Sequence, residues 1–113
     1  MAYQPIQLGK INTLNITANT TMVVPAGMSI LQIAVENTTG NSVTGGMKIG
    51  TTSGGTDVAV SIAVAANDLF VISDATLLKK IFSMSADTTL YIQAVTLFNS
   101  ANLNFYFVLR KVN

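Results

Sequence analysis

The chain of 113 residues contains no cysteine, no histidine and no tryptophan. Without cysteine it cannot form disulfides, thiolate metal sites or cysteine nucleophiles. Without histidine it lacks the commonest general base and the commonest metal ligand. The sequence therefore predicts a protein that is not an enzyme, with no catalytic, cofactor-binding or metal-binding residues.

Charge is also scarce, because only 10% of the residues are charged and the net charge is +1. Typical soluble domains carry about 25% charged residues. The basic residues are scattered except for Lys79-Lys80 and Arg110-Lys111. Either pair could bind a phosphate or an acidic neighbour, but a solvated cationic spot is the favoured interpretation. Nucleic acid is not an expected partner, since its binding requires a clustered basic face.

The carboxylates are Glu36, Asp57, Asp68, Asp74 and Asp87. Two of them could converge as a calcium site or as a hydrolytic acid pair. None belongs to a D-x-D motif, and each lies at the predicted end of a strand or in a loop, where capping of backbone groups is the usual role. Capping is therefore the favoured interpretation.

No membrane-spanning segment is expected, although the mean hydropathy is +0.51. The longest nearly apolar run, Val58 to Ala66, is far shorter than the roughly 20 residues that a spanning helix needs. The first residues lack the basic and apolar regions of a signal peptide. We expect a protein that is made in the cytoplasm, without an export signal and without a membrane partner.

Thr, Asn, Ser and Gly fill the polar positions and make up roughly a third of the chain. The apolar segments between them are short, rich in Val, Ile, Thr and Phe, and bounded by turn residues, which is the pattern of strands. About eight strands at regular spacing predict a single all-β domain, a sandwich or a barrel. The predicted strands are residues 11–17, 20–24, 28–36, 43–49, 57–65, 69–72, 89–97 and 102–110.

Five glycines lie between Gly45 and Gly55, on both sides of the short segment 47–49. Neither a P-loop nor a dinucleotide-binding pattern is present, and no helix is predicted to follow. Paired glycines permit tight reversals of the chain, so turns and a bulge are favoured over a phosphate-binding loop.

Alternation within the strands predicts which side chains face the core. In the last strand Leu103, Phe105, Phe107 and Leu109 form one apolar stripe. In 28–36, Leu31, Ile33 and Val35 are expected on one face, with Ile30, Gln32, Ala34 and Glu36 on the other. In 57–65, Val58, Val60, Ile62 and Val64 alternate with Ala59, Ser61, Ala63 and Ala65.

The small, uncharged face of 57–65 suggests a surface that another chain or a loop covers, because a solvated face would carry Lys, Glu or Thr. Ala59, Ser61 and Ala63 are therefore candidate interface residues. Tyr106 lies opposite the apolar stripe of the last strand, so it is expected to point outward and to contact a partner.

Two segments lie outside this strand pattern. Residues 74–82 could form at most one helical turn, which Asp74 would cap. Residues 1–10 form an arm ahead of the domain at 11–113, and its first eight residues are uncharged. Such an arm is either disordered or laid against a neighbouring subunit, and docking is the favoured interpretation. Tyr3, Pro5 and Ile6 are its candidate interface residues.

The run GMKIGTTSGGTDV at 46–58 and the later segment 88–92 resemble segments of small virion proteins of tailed bacteriophages. Similar proteins include capsid decoration or auxiliary proteins, head-fibre subunits and tail-associated modules. The resemblance implies a β-sandwich of jelly-roll type, often trimeric, without catalytic residues. It transfers no functional residue to this chain.

These expectations favour a virion structural protein that binds and decorates or stabilises a phage capsid or fibre assembly. A neutral surface with a net charge near zero favours association, in agreement with a subunit that assembles with copies of itself, with a trimer preferred. The alternative is a module of a phage fibre or tail that binds a host glycan or receptor. It predicts an exposed cluster of tyrosine with Asn, Asp or Gln in a groove.

Overall fold

The computed structural model describes residues 10–72 and 86–111. These two ranges contain eight strands and no helix, so the prediction of an all-β chain with about eight strands is confirmed for them. The strands are β1 (Lys10–Ile16), β2 (Thr20–Val24), β3 (Met28–Asn37), β4 (Met47–Gly50), β5 (Ala59–Ile62), β6 (Leu69–Ile72), β7 (Thr88–Ala94) and β8 (Leu103–Lys111). The predicted helical turn at 74–82 and the arm up to residue 9 lie outside the described residues.

The strands form two four-stranded antiparallel sheets. The first sheet has the order β1-β8-β3-β6, and the second has the order β2-β7-β4-β5. Four pairs are placed symmetrically about the middle of the strand sequence, namely β1 with β8, β2 with β7, β3 with β6 and β4 with β5. Successive pairs in this series alternate between the two sheets, so the chain passes from one sheet to the other several times.

Both sheets contribute to one hydrophobic core. The predicted stripe of β8 is confirmed, because Leu103, Phe105, Phe107 and Leu109 are all fully buried. The rings of Phe105 and Phe107 stack with centroids 5.9 Å apart. The second sheet supplies the buried side chains of Met47, Ile49, Leu90 and Ile92. Burial of each such side chain is worth about 1.5–3 kcal/mol, so this shared core is the main stabilising feature.

A β-bulge in β3 corrects the predicted facing of that strand. Ile30 pairs with Leu109 and Gln32 pairs with Val108, so β3 has one extra residue, Leu31, at this point. Because a one-residue shift reverses which face a side chain occupies, Ile30 is 1% exposed and joins the core, whereas Leu31 is half-buried. The prediction grouped Leu31 with Ile33 and Val35 and placed Ile30 on the other face; this is wrong, because Ile30 is the residue that is buried with Ile33 and Val35.

Glycine at position 46 fixes the start of β4. Gly45 and Gly46 both have φ near +80°, so the strand begins at Met47 instead of residue 43. A Cβ on Gly46 would lie 2.5 Å from the carbonyl oxygen of Ile62. The backbone of β5 therefore lies so close to this turn that position 46 has no room for a side chain.

Asn37 connects the loop after β3 to the segment before β6. Its side chain is buried, and its amide nitrogen donates to the carbonyl oxygens of Asn41 (2.7 Å) and Ala65 (3.1 Å). Its side-chain oxygen accepts from the backbone amide and the hydroxyl of Thr39 at 3.0 and 2.7 Å. Every polar group of this buried amide is thus satisfied, as buried polar groups require.

Candidate functional site

The outer face of the first sheet carries a row of polar side chains from three neighbouring strands. Asn104 of β8 lies opposite Asn15 of β1 on one side and opposite Glu36 of β3 on the other. Alternation along β8 explains this placement, because the odd-numbered residues 103–109 enter the core and the even-numbered residues face outward. Asn102 precedes β8 at the same end of the sheet.

Hydrogen bonds join these side chains into a polar network, which we define as Asn15, Asn102, Asn104, Glu36 and Tyr106. The Asn15 amide nitrogen donates to the side-chain oxygens of Asn102 (2.6 Å) and Asn104 (2.7 Å). The Asn104 amide nitrogen donates to Glu36 Oε1 at 3.2 Å, and the Tyr106 hydroxyl donates to the same oxygen at 3.0 Å. Three strands therefore present one connected set of groups that ends at a carboxylate.

The hydroxyl of Tyr106 is held by this carboxylate. The hydrogen bond to Glu36 raises the pKa of Tyr106 above its ordinary value, with smaller contributions from desolvation and from the negative charge of Glu36. Tyr106 lies opposite Thr13 and Ala34 in the register, whereas Glu36 is two residues further along β3 than Ala34. The phenol ring must therefore lean along the sheet towards Glu36 instead of standing perpendicular to it.

Exposed apolar side chains lie next to the polar network, on the edge strand β6. Leu69, Phe70 and Val71 are 57%, 43% and 43% exposed, and we call them the β6 patch. The strand pairs only with β3, so its other edge has no strand neighbour among the described residues. A second apolar group, Val95 and Leu97, follows β7 of the other sheet and is 43% and 51% exposed. We call this group the β7 patch.

The predicted partner-binding face of 57–65 requires a correction. Met47 pairs with Ile62 and Ile49 pairs with Ala59, so β5 contains one residue more than the facing stretch of β4. This bulge interrupts the predicted alternation, and Ala59 is 3% exposed, in the core beside Val58 and Ile62. Ala59 is therefore not available to a partner in the folded chain.

The other predicted interface residues that the structure describes do not lie on one common surface. Ala63 is exposed, in agreement with its predicted outward position, and Tyr106 is half-buried on the outer face of the other sheet. The side chain of Ser61 is not described, and Tyr3, Pro5 and Ile6 lie outside the described residues. The structure thus brings no two of the predicted interface residues together within its described ranges.

The glycine-rich segment after β4 forms a turn that is closed by its own side chains. The carboxylate of Asp57 accepts from the backbone amide of Thr51 at 2.8 Å and from its hydroxyl at 2.6 Å. Gly54 donates from its backbone to the side chain of Gln93 at 2.7 Å, which fastens the turn to β7. This arrangement agrees with the prediction of turns in place of a phosphate-binding loop.

The remaining described carboxylates bind backbone amides. Asp68 accepts from the amide of Leu69, and Asp87 accepts from the amide of Ala26, both at 2.9 Å. The described ranges contain no group of three or more residues that could hold a metal ion. In the same ranges, no helix is long and apolar enough to cross a membrane.

Sequence reasoning identified Tyr106 but missed the other members of the polar network. The alternation of β8 placed Asn102 and Asn104 beside Tyr106 on the outer face, which is the available signal. Their contacts with Asn15 and Glu36 depend on the register of strands 68 or more positions apart in the sequence. That register follows from the bulge in β3 and cannot be read from the alternation alone.

No protein-family model, curated protein or solved structure matches this chain.

Proposed function

We propose that the protein is a non-catalytic structural subunit of a virion, which binds and decorates or stabilises a phage capsid or fibre assembly. The proposal includes a homo-oligomer, with a trimer preferred, located in the virion and needing neither a cofactor nor nucleic acid for its role. The resemblance of 46–58 and 88–92 to small virion proteins motivated this function, and the strand order supports it.

The observation that carries the proposal is the pairing of the strands. Pairs β1–β8, β2–β7, β3–β6 and β4–β5 are those produced when one long hairpin is rolled up, and they alternate between two sheets. We therefore propose that the two sheets form a sandwich with jelly-roll connectivity. Jelly rolls of eight strands recur in viral capsid and lectin domains. Since one fold hosts many functions, the surface must supply the rest of the argument.

The surface supports assembly because it is apolar at an unprotected sheet edge. Natural proteins protect edge strands with lysine, proline or bulges. The sequence of β6 is LFVI, and it has none of these protective residues. Leu69 and Val71 lie on the outer face, opposite Glu36 and Ala34, whereas Phe70 lies opposite the core residue Val35 and is exposed at the same edge. An apolar sheet edge of this kind is typical of a surface that another chain covers.

Two separate apolar patches support a cyclic oligomer over a two-fold dimer. The β6 patch belongs to the first sheet and the β7 patch follows a strand of the second sheet. A ring of three chains needs a different surface on each side of the interface, whereas a two-fold dimer uses one patch twice. We propose that these two patches are the two sides of that interface, and that Ala63 lies within the covered surface.

Binding to virion shells tests the proposed function. The purified chain is mixed with shells of the phage that carries its gene, after their auxiliary proteins have been removed, and the shells are sedimented. We expect the chain to sediment with the shells and to reach a fixed ratio to the major shell protein. A chain that stays in the supernatant at every concentration, and that is also a monomer, contradicts the proposal.

The second candidate function is a module that binds a host glycan or receptor. One specific observation favours it, because the polar network groups an outward-facing tyrosine with three asparagines and a glutamate. The cluster has the residue types that the glycan-binding alternative predicts, although it lies on a sheet face and not in a described groove, and lectin domains also use the jelly-roll architecture.

A further inference from the structure

The polar network leaves a hydrogen-bond acceptor and a donor side by side. Glu36 receives the bonds from Asn104 and Tyr106 on a single oxygen, Oε1. The other carboxylate oxygen, Oε2, has no hydrogen-bond partner among the described residues. The Asn104 amide group has two hydrogens, and one of them bonds to Glu36. One acceptor and one donor therefore remain next to each other on an exposed sheet face.

We infer that this face binds a neutral sugar residue, which lies on the ring of Tyr106 and hydrogen-bonds to Glu36 and Asn104. The inference deepens the second candidate function and rests on it, and it does not depend on the shell-binding role. A sugar hydroxyl both donates and accepts, so it can donate to Glu36 Oε2 while it accepts from the Asn104 amide. Adjacent hydroxyls of a pyranose would extend this contact to the amide nitrogen of Asn102, which donates to no described residue.

Tyr106 supplies the apolar part of the site. Because its hydroxyl is tied to Glu36, the ring leans along the sheet, and its register neighbours Thr13 and Ala34 are too small to cover it. The negative face of an aromatic ring attracts the partly positive C–H groups of a sugar face. The half-buried ring thus provides a platform whose position is fixed before the ligand arrives.

The existing hydrogen bonds favour binding because they hold the groups in place. Asn15 is exposed but fixes the orientation of both Asn102 and Asn104 through its amide nitrogen. Ligand binding then orders few additional side chains, which lowers the entropic cost of association. Networks of this kind also polarise their members, which strengthens the hydrogen bonds at the open end.

The charge of the site selects a neutral sugar over an acidic one. The carboxylate of Glu36 is the charged group of the network, and a sugar carboxylate placed beside it would be repelled. Arg110 is an exposed basic residue on the outward side of β8. It lies four residues beyond Tyr106 along the strand. It is too far along the sheet to neutralise an acidic sugar at Glu36.

A glycan array that contains neutral hexose, N-acetylhexosamine and sialylated glycans tests this inference with the full-length protein. We expect binding to neutral glycans and a weaker signal for their sialylated forms. Glu36→Gln should weaken binding by about tenfold or more, since a hydrogen bond to a charged group is lost. Tyr106→Ala should abolish binding, whereas Tyr106→Phe, which keeps the ring, should reduce it less than Tyr106→Ala does.

Tyr91→Ala is the matched control, because Tyr91 is a half-buried tyrosine of β7 in the other sheet. It should leave glycan binding unchanged.

Where a variant fails to fold, the unaltered protein is titrated with the selected sugar, and we expect NMR shifts at the side-chain amides of Asn102 and Asn104. The inference is overturned by silence across the array, by preference for sialylated glycans, or by shifts elsewhere only. Silence would leave shell binding and oligomer formation untouched, so the two proposals fail independently.

Discussion

At the scale of a single residue, the ionisation of the Tyr106 hydroxyl depends on the polar network. Its hydroxyl donates to Glu36, so ionisation of the phenol would remove this bond and place two negative charges together. The pKa of Tyr106 is therefore raised in the folded chain. The stabilising contribution is fully present below the usual tyrosine pKa of about 10 and is lost as the pH rises through the higher folded value.

We predict that Tyr106→Phe removes the tyrosine that ionises at the higher pH in the folded protein. The measurement is a titration of tyrosinate absorbance, compared between the unaltered chain and the variant. If the variant retains this late component and loses an ordinary one instead, the hydrogen bond between Tyr106 and Glu36 does not exist in solution.

Asn37 makes a different prediction at the same scale, because its side chain is buried and fully hydrogen-bonded. Asn37→Ala leaves the carbonyl oxygens of Asn41 and Ala65 without this donor. We expect a loss of about 1–3 kcal/mol in the free energy of unfolding, measured with a chemical denaturant.

Asn41→Ala is the control for Asn37→Ala. The Asn41 side chain is exposed and makes one long hydrogen bond of 3.5 Å to Ser100. Its removal should change stability by no more than about 0.5 kcal/mol. Equal effects of the two substitutions would show that Asn37 does not hold the two loops together.

At the scale of elements, the turn before β4 determines how closely β5 approaches. Gly46 and Gly27 have nearly the same backbone conformation, with φ of +80° and +81°. A Cβ on Gly27 would meet nothing within 4 Å, whereas one on Gly46 would meet the carbonyl oxygen of Ile62. Substitutions at Gly27 and Gly46 therefore distinguish the cost of a left-handed backbone conformation from the cost of steric overlap.

We predict that Gly27→Ala lowers the free energy of unfolding by about 1–2 kcal/mol, since only the left-handed conformation opposes it. Gly46→Ala should lower it clearly more, because β5 must also move away. Denaturant unfolding of both variants measures the difference. Similar losses would mean that the turn and β5 are not in close contact.

The same elements explain how much of the fold follows from the sequence. Short runs of β-branched residues between turn residues predict the number of strands and their approximate positions, although β4, β5 and β7 are shorter than predicted. The stripe of β8 predicts its core side chains correctly, because it depends on local alternation. Alternation fails at Leu31 and within β5, where an extra residue reverses the facing and brings Ile30 and Ala59 into the core.

The polar network was beyond sequence reasoning for a related reason. Its outward positions on β8 follow from alternation, but its partners Asn15 and Glu36 come from distant strands. Pairing of such strands is set by the shared core and by the bulges, which are collective properties of the folded chain. A single strand pattern carries no information about them.

At the scale of the whole molecule, β6 presents a sheet edge that no described strand covers, and the proposed self-association depends on this edge. Val71 faces outward opposite Ala34 and is 43% exposed, so a lysine there can reach solvent in an isolated chain. We predict that Val71→Lys leaves the free energy of unfolding of the single chain nearly unchanged but weakens self-association at least tenfold. Sedimentation equilibrium measures the association.

Ile11→Lys provides the matched control for Val71→Lys. Ile11 is 62% exposed on β1, the opposite edge strand of the same sheet. The same change of an aliphatic residue to lysine at this edge should leave self-association intact. Loss of association by Ile11→Lys alone would place the interface at β1 and remove the argument from the β6 patch.

Sedimentation velocity of the unaltered protein tests whether the chain assembles with copies of itself. The net charge near zero, the apolar edge of β6 and the two apolar patches predict a species heavier than one chain, with three chains preferred, that persists on dilution into the micromolar range. A single species with the mass of one chain at every concentration would contradict self-assembly.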